Sequence, residues 1–287
     1  MLFFLAAVAA ALLVVQAVLY PIAAVLLQIV GVRLVAHNLV LAVALLLAHA
    51  AALHWVDGGR GWDAVALGRA AMRPRLLALG IVAGTLAIAA PSLLLLGAGW
   101  LRVEPAPDGS WWGAALSLAA FLLPAALWEE LLFRGYAFRA IADGAGEWTA
   151  LCVTSVLFGL VHLDNAGAGA QYIAVVTLAG FFLGAVLLRT RSLYAAWAAH
   201  WAWNWTMAAV FHVAVSGSAF ATPDYRVVDA GPDWLTGGVW GPEGGAAAAV
   251  GIVGGMLLLL GVRGKRAVEL AVGTSHATVG SRGTIDE

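Results

Sequence analysis

Charge is what this 287-residue chain has least of. Only 11% of its residues are Asp, Glu, Lys or Arg, and 63% are hydrophobic, where a soluble domain carries roughly 25% charged residues. Together with a mean hydropathy of +0.93, this excludes an ordinary soluble domain and selects a polytopic membrane protein. Lys265 is the one lysine and the net charge is −1, so nothing favours a nucleic-acid partner or a strongly charged ligand. The single cysteine, Cys152, excludes an intrachain disulfide and a Cys-based structural zinc site, and reads as a small buried hydrophobe. No basic segment precedes Leu2, and the first apolar run exceeds a signal-peptide core, so it is expected to persist as a helix.

What is present is a succession of apolar runs. Windows of about 20 apolar residues predict an all-α protein with about eight transmembrane helices. They lie within 2–30 (interrupted by Pro21), 34–56, 77–101 (with Pro91), 112–140 (with Pro124), 148–163, 172–188, 192–215 and 246–262. Residues 1–263 are expected to form one transmembrane helical domain. Residues 264–287 are expected to be a polar, disordered cytoplasmic tail. With the N-terminus inside, the cytoplasmic segments hold Arg60, Arg69, Arg73, Arg75, Arg139, Arg189, Arg191, Arg263, Lys265, Arg266 and Arg282, whereas the other side holds Arg33, Arg102 and Arg226. This asymmetry places both termini in the cytoplasm. The Ala-, Gly-, Val- and Leu-rich composition has the look of a high-GC bacterial gene, which puts the chain in a bacterial inner membrane. The lipid bilayer and a membrane-associated peptide or protein are the expected partners.

Within the fourth run, two adjacent carboxylates interrupt the apolar residues: Trp128-Glu129-Glu130-Leu-Leu-Phe133-Arg134. A charge at mid-bilayer costs about 2.5–3.5 kcal/mol on insertion scales, so such residues need a partner or a task. Glu130 and Arg134 are i,i+4 and share a helix face. Glu129 points about 100° away and is left to face a cavity. Two later spans carry Phe158-Gly-Leu-Val-His162 and His200-Trp-Ala-Trp-Asn204. From the rise per residue, Glu129, His162 and His200 lie about 14–21 Å from the cytoplasmic ends of their helices, close enough in depth to meet. Pro124 removes a backbone bond to Ala120 and loosens the helix one and a half turns before Glu129. A carboxylate beside two imidazoles and an amide suits hydrolysis: a general base, groups that polarise water or hold a metal, and an oxyanion donor. Glu129, His162 and His200 would also suit a catalytic zinc with an open position.

The ordered set Glu129-Glu130-x-x-x-Arg134, Phe158-x-x-x-His162 and His200-x-x-x-Asn204 resembles the three motifs of the CPBP family of intramembrane proteases. That family includes the type II CAAX prenyl endopeptidases and the bacterial bacteriocin-immunity (Abi) proteins. The resemblance spans roughly 112–215. It implies Glu129 as the water-activating base, His162 as the residue orienting the water, and His200 with Asn204 as oxyanion donors. Glu130, Arg134 and Phe158 are the supporting residues. The family carries both metal-dependent and glutamate-driven proposals, so a divalent metal such as zinc stays open, as do prenylation of the substrate and oligomeric state.

Blander readings compete residue by residue. The two glutamates could form a buried ion-pair network, although one arginine cannot neutralise both. His200 and Asn204 could bond across helices, as polar residues in bundles do. His37, His49, His54 and His212 read as structural, and Asp164 with Asn165 as loop-capping. Gly80-x-x-x-Gly84 and Gly180-x-x-x-Gly184 read as close helix contacts within the monomer. Against the peptidase stand a non-catalytic membrane immunity or binding protein with the same polar cluster, and a proton-coupled carrier. No internal repeat supports the carrier.

Overall fold

The computed structural model describes residues 1–30 and 33–259. The expected tail over 264–287 lies outside the described residues, with Arg263, Lys265, Arg266 and Arg282. The chain is predominantly helical: α1 (Leu2–Val30), α2 (Arg33–Ala51), α3 (Pro74–Gly97), α4 (Trp111–Arg134), α5 (Tyr136–Ala145), α6 (Glu147–Leu160), α7 (Ala170–Thr190) and α8 (Leu193–Trp205). A single turn, α9 (Asp233–Thr236), precedes the last described helix, α10 (Ala246–Leu259).

Two expectations are met only in part. Among the described residues four helices are long and apolar enough to cross a membrane, Val35–Val56, Pro74–Gly97, Trp111–Ala145 and Ala170–Thr190, with Leu2–Val15 and Ala246–Leu259 as shorter apolar segments. The count of eight is therefore not established. Part of the reason is that apolar windows do not register where a helix stops. The window 148–163 holds a helix of only 14 residues, α6, about 21 Å at 1.5 Å per residue. The window 192–215 holds 13 helical residues, followed by a π-turn over Thr206–Val210. Nor is the protein purely α-helical. β1 (Leu101–Pro105) pairs antiparallel with β2 (Tyr225–Asp229), matching Val103 with Val227 and Glu104 with Arg226. The latter pair is ion-paired at 2.9 Å. β1 follows the end of α3 and β2 lies in the loop between 215 and 246, where apolar windows carry no signal.

Local chemistry sets the helix starts. Ser110 Oγ accepts from Gly113 N at 3.1 Å and caps α4. Ser192 Oγ accepts from Ala195 N at the start of α8 and donates to the Ala71 carbonyl at 2.6 Å. Capping thereby also ties α8 to the loop before α3. Small residues let the helices behind the site touch. A Cβ on Gly80 or Gly84 would lie 2.2 or 2.0 Å from the carbonyl oxygens of Ala195 and Ala199, and one on Gly180 would lie 3.0 Å from Ser155 Cα. The two expected small-residue motifs thus seat α3 on α8 and α7 on α6, within the monomer. Cys152 departs from expectation, being exposed on α6.

The loop arginines collect at one end of the bundle. There Arg139 pairs with Asp57 and Asp143, Arg60 approaches Asp143 at 3.9 Å, and Arg191 pairs with Glu147. The β1–β2 pair, the loop 211–245 and the C-terminal ends of α6 and α8 occupy the opposite end.

Candidate active site

The apolar stretch of α4 carries its two carboxylates to the junction with α6, α7 and α8. Glu130 is fully buried and Arg134 is 2% exposed. Arg134 Nη1 donates to Glu130 Oε1 at 3.1 Å and Nη2 to the Gly180 carbonyl at 3.0 Å. The guanidinium lies 4.4 Å from the centre of the Phe158 ring, a desolvated cation–π contact. The i,i+4 pairing expected from sequence is present, and Phe158 supports it from α6.

His200 joins this pair in a way that helix periodicity did not foresee. Its Nδ1–H donates to Glu130 Oε1 at 2.9 Å, while Nε2 lies 3.8 Å from Glu129 Oε2. Glu130 therefore serves two partners, holding Arg134 on one side and orienting the catalytic-candidate imidazole on the other. Such a second bond fixes which ring nitrogen faces the reaction space. The Glu129–His200 gap is too long for a hydrogen bond, and Glu129 Oε2 is buried with no hydrogen-bond partner among the described residues. A buried carboxylate oxygen left open in this way is an acceptor awaiting a donor.

His162 sits just past α6, in a 3₁₀ turn over Val161–Asp164. Its Nδ1–H donates to the Phe158 carbonyl at 2.7 Å, which leaves Nε2 as the acceptor of a neutral ring. Phe158 stands between the two histidines, with ring centres 4.9 Å from His162 and 5.7 Å from His200. His162, His200 and Asn204 line a common cavity of about 20 Å³ with Phe158, Phe182 and Trp203. That volume accommodates about one water molecule. Glu129 contacts this group through His200, and no hydrogen bond joins it to His162 or Asn204 among the described residues.

The ligand set that would suit zinc is not assembled. Among the described residues no three His, Cys, Asp or Glu side chains are grouped so as to hold a metal ion. His200 gives its Nδ1–H to Glu130, which leaves Nε2 as the ring nitrogen it could offer, and no hydrogen bond joins Glu129 to His162 among the described residues. No chemical step is accordingly routed through a metal.

Two further residues of the cavity wall lie far along the chain. Glu243, 6% exposed, accepts from Trp203 Nε1 at 2.9 Å and from both the backbone N and Oγ of Ser216 at 2.6 Å. Both Glu243 and Ser216 line the cavity, yet a glutamate in a Gly- and Pro-rich loop carries no local signature of burial. His49 proves structural, as expected, but with a definite task. Its Nε2 accepts from Tyr136 N at 2.9 Å, satisfying the amide freed where α4 gives way to α5. Gly135 permits this approach, since a Cβ there would lie 2.1 Å from His49 Nε2.

Residues 111–206 match the family model described as type II CAAX prenyl endopeptidase Rce1-like. The matched segment begins with α4 and ends just past Asn204, enclosing every motif residue, and it supports a CPBP-family intramembrane protease. No curated protein and no solved structure matches the chain.

Proposed function

We propose that this protein is an endopeptidase working within the membrane, in which Glu129 activates a water to hydrolyse a peptide bond of a membrane-associated substrate. The observation that carries the reading is His200 held between two carboxylates, its Nδ1–H fixed by Glu130 and its Nε2 3.8 Å from Glu129, in a residue that also lines the one-water cavity. Glu129 takes a proton from the water as the water oxygen attacks the substrate carbonyl carbon. Nε2 of His162, an acceptor because Nδ1–H is donated to Phe158, orients the water through its second hydrogen. His200, carrying a proton on each ring nitrogen as an imidazolium between the two carboxylates, donates its Nε2–H, together with the Asn204 amide, to the developing oxyanion. As the C–N bond breaks, Glu129 returns the proton to the leaving amine nitrogen. Arg134 offsets the charge of Glu130, so that Glu130 can hold His200 without an uncompensated carboxylate in the bundle.

A general base contributes about 10²–10⁴-fold to such reactions. Glu129→Gln is expected to lower cleavage by that factor with folding intact, because Glu129 Oε2 has no hydrogen-bond partner to lose. Comparing the membrane peptidomes of cells carrying wild type and Glu129→Gln tests the reading and identifies substrates together. Identical peptidomes would sink it in favour of a non-catalytic immunity or binding protein.

A further inference from the structure

A cavity of about 20 Å³ holds a water and not a peptide, so a peptidase with this centre needs room for the residues flanking the scissile bond. That room lies next door. A second cavity, of about 790 Å³, opens at the end of the bundle opposite the cluster of Arg60, Arg139 and Arg191. Its size falls in the range of about 300–1,000 Å³ typical of ligand sites. Pro242 lines the larger cavity and Glu243 the smaller, as do Ala214 and Ser216 respectively. Residues one or two positions apart in sequence thus line the two spaces, so the partition is one thickness of chain, and its two segments touch, since a Cβ on Gly241 would lie 2.1 Å from the Ala214 carbonyl oxygen. Glu243, Trp203 and Asn165 hold it in place, Asn165 Nδ2 donating to the Ser216 carbonyl at 3.0 Å. Ser216 itself takes a left-handed φ of 48°, a strained setting for a residue other than glycine.

The walls of the outer cavity fit a peptide backbone. β2 contributes Arg226, Val227 and Asp229, and the sheet has only two strands, which leaves each with an outer edge suited to strand addition. Leu101, Phe220 and Val213 supply apolar surface. His212, 7% exposed, also lines the cavity. Its Nδ1–H donates to the Tyr225 carbonyl at 2.6 Å, and the ring stacks on Tyr225 with centres 4.0 Å apart. Nε2 is therefore an acceptor, and it is buried with no partner among the described residues. All residues lining this cavity lie outside the matched segment 111–206.

We propose that the outer cavity is the docking subsite for an extended peptide segment of the substrate, presented at the end of the bundle opposite the arginine cluster. His212 Nε2 accepts a backbone N–H of that segment, and the Ser216–Glu243 partition yields to let the scissile bond reach His200 and Glu129. Because loops rich in arginine stay in the cytoplasm, the docked segment belongs to the extracytoplasmic part of a membrane-anchored protein. The proposal rests on the peptidase reading above.

The test begins from Cys152→Ser, which leaves no cysteine. Single cysteines are then placed in the outer cavity at exposed positions, by Ala219→Cys or Ala221→Cys, and at the arginine end by Ala70→Cys. A membrane-impermeant maleimide is expected to modify the first two in intact cells and the third only after permeabilisation. Modification of Ala221→Cys should lower cleavage of peptides identified from the peptidome comparison at least tenfold, and that of Ala70→Cys should leave it unchanged. His212→Ala should raise KM severalfold at nearly constant kcat, with partial recovery in His212→Gln. Labelling of Ala221→Cys only after permeabilisation, or full cleavage with the maleimide in place, overturns the proposal. Cleavage that survives Glu129→Gln refutes the glutamate-driven mechanism instead, and the labelling pattern then still reports the side on which this cavity opens.

Discussion

Arg134→Leu is the sharpest perturbation of the cluster that holds His200. Leucine removes the cation but fills much of the volume, so the effect reports electrostatics more than packing. The wild-type guanidinium gives one hydrogen bond to Glu130, one to the Gly180 carbonyl, and a face-on contact with Phe158. With neither partner's side chain exposed, water cannot replace what is lost. Breaking a buried ion pair by deleting one partner costs about 3–5 kcal/mol, chiefly because a carboxylate is left uncompensated. His200 remains as a partner of Glu130 and limits the loss to the lower part of that range. The double variant Glu130→Gln/Arg134→Leu removes the stranded charge, and should recover about 1–3 kcal/mol relative to Arg134→Leu alone. Thermal unfolding of purified protein in detergent reads both steps. A midpoint in Arg134→Leu within a degree of wild type, or a double variant less stable than the single one, would refute the claim that Glu130 depends on Arg134. A fall in Tm with recovery in the double variant, but no recovery of cleavage, is the expected pattern, since Gln cannot replace the carboxylate that orients His200.

Other perturbations probe the supports of the site. Gly84→Val places a branched side chain where a Cβ already meets the Ala199 carbonyl oxygen at 2.0 Å. It should push α3 off α8, costing about 1–3 kcal/mol by overpacking, with a lowered Tm and weaker cleavage as α8 shifts. Gly135→Ala should displace His49 from the Tyr136 amide and lower Tm, whereas Gly144→Ala, with open space around its Cβ, should not. Glu243→Gln keeps an acceptor for Ser216 but turns an amide donor toward Trp203 Nε1. Loss of that bond is expected to cost about 1–3 kcal/mol, seen as a lowered Tm and increased protease sensitivity of the loop 211–245.

Some of this was legible along the chain. The pairing of Glu130 with Arg134 follows from helical spacing alone, because an i,i+4 contact needs no information beyond the helix. The two Gly-x-x-x-Gly stretches announced close helix contacts for a similarly local reason, since a missing side chain marks a place where backbones can approach. The helical rise placed Glu129, His162 and His200 at comparable depth, and the structure brings His200 within 3.8 Å of Glu129 and sets His162, His200 and Asn204 around one cavity. The zinc-ligand set was a spacing argument; among the described residues no three His, Cys, Asp or Glu side chains are grouped to hold a metal ion, and the Nδ1–H bond to Glu130 leaves His200 its Nε2 alone to offer.

The sequence by itself determined the solvent of this protein and the residues that are expensive within it. Both are set by summed transfer free energies, to which each residue contributes independently of its neighbours in space. Tertiary structure alone decided which partners those residues take. Glu130 orients His200, Glu243 and Ser216 wall the site from a distant loop, His49 caps the break at Gly135, and β1 finds β2 across more than a hundred residues. Such contacts are pairwise and long-range, so no composition, period or local spacing encodes them. They exist only once the helices have packed.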